Sequence, residues 1–77
     1  MIIEIRLYAS LRKYSEQVSG VLNAEVPEGT SAQDVIEMLG IDSNEIKMIM
    51  VNGKNAENDA MLNEGDRIGL FPPVGGG

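Results

Sequence analysis

One stretch of this chain has helical periodicity, and almost everything around it alternates. Ala32, Val35, Ile36 and Leu39 fall at i, i+3, i+4 and i+7, while Gln33, Asp34 and Glu37 take the other side. Thr30 with Gln33 three residues on fits a capping box, in which two orphan backbone donors are satisfied reciprocally. Gly40 stands where such a helix stops. A helix this short does not persist alone in water, so its apolar stripe must dock on something else. The flanking residues supply it, because they read as strands.

Met1 to Tyr8 places Ile3, Ile5 and Leu7 on one face and Glu4, Arg6 and Tyr8 on the other, the period of a half-buried strand. Leu11 and Tyr14, three apart among polar residues, suggest a helical turn over Ala9 to Ser15. From Gly20 a second alternation sends Leu22, Ala24 and Val26 inward and Val21, Asn23 and Glu25 outward, closed by Pro27-Glu28-Gly29. Ile46 to Asn52 is a third strand, and Asn52-Gly53 is a strong type I′ hairpin signal that returns Lys54-Asn55-Ala56 as a short fourth. Glu57 to Leu62 reads as a loop anchored by Leu62, with Met61 as a second candidate anchor. Asn63-Glu64-Gly65-Asp66 turns the chain into a last strand, Arg67 to Phe71, with Ile68 and Leu70 inward. The order β-β-α-β-β-β predicts an α+β fold with one helix packed on one face of a mixed sheet.

A chain of 77 residues is one domain, 1–77, because it cannot bury two cores. It contains no cysteine and no histidine. Disulfides are excluded, and a metal site would have to be built from carboxylates alone, so none is expected. The same absences remove a Ser-His-Asp triad, a thiolate nucleophile and any side chain that titrates near neutrality unperturbed. A carboxylate pair could act as acid and base, but so short a chain leaves little room for a core and an enclosing cleft. Independent catalysis is not expected.

Twelve acidic residues against six basic ones give a net charge of −6. Together with only three aromatics, this argues against nucleic-acid partners. The acidity either keeps a small protein soluble or steers it toward basic partner surfaces. No apolar run has membrane-span length, and the N-terminus lacks a signal-peptide pattern, so no membrane association and a cytoplasmic location are expected. Asp42-Ser43-Asn44 begins like a calcium loop, but Lys47 occupies the place that requires glycine. Met38, Met48, Met50 and Met61 are either gap-filling core or an adaptable binding surface. The third and fifth strands carry apolar residues on both faces. With Met48, Met50, Ile68 and Leu70 toward the helix, Ile49, Val51, Phe71 and Tyr8 are left on the open face, either as a modest apolar excess or as a protein-docking patch.

The C-terminal segment is the other unusual feature. Pro72-Pro73 cannot donate to a sheet, so they end the last strand and project the chain as an extended arm over 72–77. Val74 and Gly75-Gly76-Gly77 follow, giving a reach of roughly 20 Å at about 3.3–3.6 Å per residue. Glycines without Cβ can thread a narrow channel and leave the terminal carboxylate unhindered. No helix follows the glycines, so they do not form a phosphate-cradling loop.

Leu7-Tyr8-Ala9-Ser10-Leu11-Arg12, Val51-Asn52, Asn63-Glu64-Gly65-Asp66-Arg67 and Phe71-Pro72-Pro73-Val74-Gly75-Gly76-Gly77 together give the chain a recognisable cast. Over essentially its whole length it resembles the ubiquitin-like sulfur-carrier family, and within it the small subunits of molybdopterin synthase. One departure is Lys13, where an acidic residue often follows the arginine. The resemblance implies a ubiquitin-like β-grasp fold with four to five strands. It also implies an activating, E1-like enzyme that uses ATP and Mg²⁺ to adenylate Gly77, a persulfide protein that supplies sulfur, and a large subunit that receives the tail. No cofactor would be held stably by the chain. On this reading Gly77 carries a thiocarboxylate, Gly75 and Gly76 give threading room, and Tyr8, Ile49, Val51, Phe71, Pro72, Pro73 and Val74 dock. Arg12 pairs with an acidic group of a partner. A carrier for thiamine or tungsten-cofactor chemistry, a modifier ligated to lysines through Gly77, and an interaction module with an inert tail all remain open.

Overall fold

The computed structural model describes residues 1–15 and 19–73. Its elements are β1 (Ile2–Leu7), a 3₁₀ turn (Ala9–Tyr14), β2 (Val21–Glu25), α1 (Ala32–Met38), a short 3₁₀ turn (Ser43–Glu45), β3 (Met48–Val51), β4 (Lys54–Ala56) and β5 (Arg67–Phe71). They form one five-stranded sheet in the order β2-β1-β5-β3-β4. The central pair, β1 and β5, is parallel, and the remaining pairs are antiparallel. One main helix on one mixed sheet is the β-grasp arrangement.

The core lies between α1 and the sheet. Ile3, Ile5 and Leu7 from β1, Ile68 and Leu70 from β5, and Ala32, Val35 and Ile36 from α1 are all buried. The inward residues expected for these three elements are the ones found, because each obeys a single clean period, except that Leu39 at the helix C-cap is only half-buried against the core. Leu62 anchors its loop in the core as expected, whereas Met61 does not: it is 59% exposed.

The helix is capped one residue later than Thr30. The Asp34 amide donates to Ser31 Oγ at 3.1 Å, and the Ser31 amide donates to Asp34 Oδ2 at 3.0 Å. Thr30 instead turns back, its hydroxyl donating to the Pro27 carbonyl at 2.7 Å. Two more first-turn amides are taken up by the loop opposite, Ala32 by the Ala60 carbonyl and Gln33 by the Asn58 carbonyl, so the helix start is tied to residues 58–60. At the far end Gly40 donates to the Glu37 carbonyl and Ile41 to the Ile36 carbonyl, a Schellman pattern that seals the helix and folds Ile41 into the core.

The hairpin between β3 and β4 turns at Asn52 and Gly53, both at positive φ, as a type I′ turn requires. Asn52 also stitches across the sheet. Its amide donates to the Arg67 carbonyl, its Oδ1 accepts from the Arg67 amide, and its Nδ2 donates to Asp66. The turn 63–66 is fixed in turn to β1, with Gly65 donating to the Ile2 carbonyl and Glu4 to the Asp66 carbonyl. These bonds set β5 between β1 and β3.

Candidate functional site

The end of β5 is where the tail begins, and the sheet places it centrally. The Lys47 amide donates to the Phe71 carbonyl at 2.7 Å. Pro72 and Pro73 have no N–H to continue the ladder, so pairing stops there as expected. Val74, Gly75, Gly76 and Gly77 lie outside the described residues.

Side chains alternate along β5, so Arg67, Gly69 and Phe71 share the face away from the helix. From β1 the same face receives Glu4, Arg6 and, one residue past the strand, Tyr8. The Tyr8 and Phe71 rings are stacked, with centroids 4.3 Å apart and planes within 6°. Both rings lie against Gly69: a Cβ added there would stand 3.4 Å from an edge carbon of each. The glycine is buried by them although it belongs to the open face. Strand-interior glycine is a known mark of close approach, and that signal was present in the sequence. Gly69 lets the two rings settle onto the sheet.

Ile49 and Val51 were expected beside this pair, and the structure moves them to the opposite face. Ile49 pairs with Leu70 and Val51 with Ile68, whose side chains face the helix, and Ile49 is only 5% exposed. Met48, paired with Phe71, and Met50, paired with Gly69, take the open face instead. Met48 is 38% exposed. The apolar residues at this end of the open face are therefore Tyr8, Phe71, Met48 and Met50.

The patch has a charged border. Glu4 accepts from Arg6 Nε at 2.5 Å and lies 3.3 Å from Arg67 Nε, bridging β1 and β5 across the other half of the open face. These pairs are partly exposed and contribute little to stability. They separate the apolar end near the tail root from the exposed Ile2 at the start of β1. Beside the patch a groove of about 1040 Å³ runs past Tyr8, Ser10, Lys47, Asn58 and the two prolines. Lys47 and Arg12 are exposed and make no ion pair among the described residues.

Lys13, the departure noted in the sequence, has an internal partner. Its Nζ lies 3.2 Å from Glu45 Oε1, while the Tyr14 hydroxyl donates to Glu45 Oε2. This clamp joins the turn after β1 to the approach of β3, the two segments that flank the groove. The Tyr14 hydrogen bond, then Lys13, hold the Glu45 carboxyl below its usual range, and the same bond raises the Tyr14 hydroxyl above its own. A depressed carboxyl stabilises the fold above its unfolded pKa and loses that contribution as pH falls through the folded value. A raised phenol contributes below its unfolded pKa and loses it as pH rises through the folded value. Tyr14→Phe is therefore expected to raise the Glu45 titration midpoint in a carboxyl-detected NMR titration. An unchanged midpoint would mean that Tyr14 does not hold Glu45.

No three His, Cys, Asp or Glu side chains among the described residues converge as a metal site. What the site offers is a rigid aromatic platform at the root of a tail. No helix among the described residues is long and apolar enough to cross a membrane.

Comparison with known proteins agrees with this geometry. No curated protein matches the chain by sequence. Among solved structures it is similar to SAMP1 of Haloferax volcanii, at 23% identity with a TM-score of 0.77 over 100% of both chains. It is also similar to a putative molybdopterin converting factor, subunit 1, of Pyrococcus furiosus, at 26% identity and TM-score 0.76, covering 96% of this chain and 99% of that one. A third similar structure is the complex of subunits 1 and 2 of the molybdopterin-converting factor of Helicobacter pylori, at 20% identity and TM-score 0.64, with 100% of both chains covered. The model of the ThiS family matches residues 5–77. Fold, tail root and family match coincide, and the chain belongs to the ThiS family of ubiquitin-like sulfur carriers.

Proposed function

We propose that this chain carries sulfur as a thiocarboxylate on Gly77 and delivers it as the small subunit of a molybdopterin synthase. The observation that carries the reading is the stacked Tyr8–Phe71 platform, set immediately before Pro72-Pro73 and aimed away from the helix. A partner that grips the platform receives the tail in a fixed direction. The match to the ThiS family and the likeness to the Pyrococcus furiosus protein support sulfur chemistry at the end of that tail.

The chemistry divides between this chain and its partners. An E1-like enzyme with ATP and Mg²⁺ joins the Gly77 carboxylate to AMP, and pyrophosphate leaves. Adenylation turns a carboxylate oxygen into a good leaving group. The terminal sulfur of a persulfide then attacks the acyl carbon and AMP departs. A thiolate next attacks the donor-side sulfur of the resulting acyl disulfide, which releases the thiocarboxylate and leaves a disulfide on the donor. The chain contributes an unhindered terminal carbonyl at Gly77 and narrow passage at Gly75 and Gly76. It also contributes the platform, with the exposed Arg12 and Lys47 to meet acidic groups of a partner.

Intact-mass measurement of the native protein tests this reading. The expected species has one oxygen exchanged for sulfur at the C-terminus, and deletion of Gly77 abolishes it. Its persistent absence in cells that are transferring sulfur would overturn the proposal. Lysine adducts ending in Gly-Gly would identify a protein modifier instead. Sulfur transfer from the thiocarboxylate to a pterin precursor with a large subunit present, rather than to a thiamine intermediate, assigns the pathway.

A further inference from the structure

The chain has a second apolar depression, at the opposite pole of β1 from the tail. It is about 380 Å³ in volume and lies between the segment after β2 and the outer side of α1, lined by Val26, Pro27, Gly29, Met38, Glu28 and Asp34, with Thr30 at its base. Val26 is tied to the start of β1 through the Met1 carbonyl, whereas the tail leaves beyond Leu70, the partner of Leu7 at the end of that strand. At about 3.3 Å per residue, the length of β1 separates the two places by roughly 17 Å. An occupant of one leaves the other uncovered.

The side chains around it are of two kinds. Met38 is 51% exposed, and Met61 lies close by, its methyl 4.0 Å from where a Cβ on Gly29 would sit. Of the five large apolar side chains left exposed, Tyr8 and Met48 belong to the tail platform, Ile2 stands at the start of β1, Met38 lines this depression and Met61 borders it at Gly29. Burial in the core would explain neither of them. Unbranched and polarisable, a methionine pair adapts to a varied apolar partner. The charged groups lining the depression, Glu28 and Asp34, are both acidic, and no lysine or arginine lines it. Glu37 stands a turn beyond Asp34 on α1 and is also exposed. Part of the net charge of −6 is thus concentrated around one apolar groove.

We propose that this groove is a second docking surface, which takes a short segment of a partner protein carrying an apolar side chain flanked by lysine or arginine. The apolar group enters between Met38 and Met61, and the cations meet Glu28, Asp34 and Glu37. Charge complementarity of this kind speeds encounter and fixes register, and it weakens as salt is added. The site does not depend on what chemistry Gly77 performs. It would allow a basic partner to hold the domain while the tail is engaged elsewhere.

The test is an NMR titration of the full chain, labelled at the methionine methyls, with a blocked Lys-Arg-Leu-Lys-Leu-Arg peptide and with its Glu-for-cation counterpart. The expected result is movement of the Met38 and Met61 methyls with the basic peptide, none at Met48, and no response to the acidic peptide. Paired charge reversal, Glu28→Lys with Glu37→Lys, should weaken binding by about tenfold, as loss of roughly two exposed ion-pair contributions implies. Asp34 is left intact in that variant because it caps the helix, and an unchanged thermal midpoint confirms that the fold is retained. Movement of Met48 in place of Met38, equal binding of the acidic peptide, or no shift at millimolar basic peptide would each overturn the proposal.

Discussion

Gly20→Ala is expected to destabilise this domain by roughly 2–5 kcal/mol, a large share of the about 4–12 kcal/mol available to a chain of this length. Two causes add. Gly20 is buried at φ +77, a left-handed conformation that L side chains enter at a cost of about 1–2 kcal/mol. An added Cβ would also stand 2.5 Å from the Leu7 carbonyl oxygen and 3.0 Å from Arg12 Cγ. The arginine stem can move. The carbonyl cannot move freely, because the Leu7 amide is bonded to the Gly20 carbonyl at 2.8 Å and Leu7 is paired with Leu70 in the sheet centre. The crossing from β1 to β2 would have to open. Thermal unfolding should show a midpoint at least about 8 °C lower, given that each kcal/mol shifts a domain of this size by about 4–8 °C. Gly40→Ala is the control: its φ is +74, yet an added Cβ would meet nothing within 4 Å, so only the conformational cost applies. Equal midpoints for the two variants would show that the Leu7 contact is not limiting.

The second large effect is expected at Phe71. Truncation to Ala removes half of the stacked pair and the hydrophobic group nearest the tail root. Aromatic anchors in docking patches commonly cost about 2 kcal/mol or more when truncated, which corresponds to roughly 30-fold in affinity. Phe71→Ala should therefore weaken binding to the adenylating enzyme by about that factor. Phe71 is half-buried, so the fold should lose less than a core deletion would cost. Met61→Ala, on the far groove, should leave this affinity unchanged. A Phe71→Ala protein that binds normally would remove the platform from the docking surface. Gly69→Val offers an independent check, because its side chain must lift both rings off the sheet while Phe71 itself is retained.

The open face illustrates how far residue patterns reach. Ile3, Ile5 and Leu7 declare their face because charged or polar residues alternate with them. Met48-Ile49-Met50-Val51 has no such contrast, so period two gives two equivalent answers. Pairing with β5 selects one of them: Phe71 must end opposite Met48 for Lys47 to bond its carbonyl, and this sends Ile49 toward the helix with Leu70. The helix cap is similar. Thr30 and Ser31 are adjacent, each has a side chain with acceptors three residues on, and the Thr30 hydroxyl is drawn back to Pro27. Lys13 gave no sign of its partner, because Glu45 is remote in the chain and meets it only after the helix has crossed the sheet.

The tail root combines both kinds of information. Pro72-Pro73 after an apolar strand determines from sequence alone where the sheet stops, since a missing amide ends a ladder wherever it occurs. The succession of elements along the chain, the I′ turn at Asn52-Gly53 and the single docked helix were likewise fixed by local chemistry, period and length. What stands beside the arm was decided by tertiary structure. Tyr8 and Phe71 are 63 positions apart in a chain of 77, and only the parallel pairing of β1 with β5 brings their rings together over Gly69. Local sequence sets the conformation of each segment, but the contacts between segments depend on register, and register is an energy of the whole sheet.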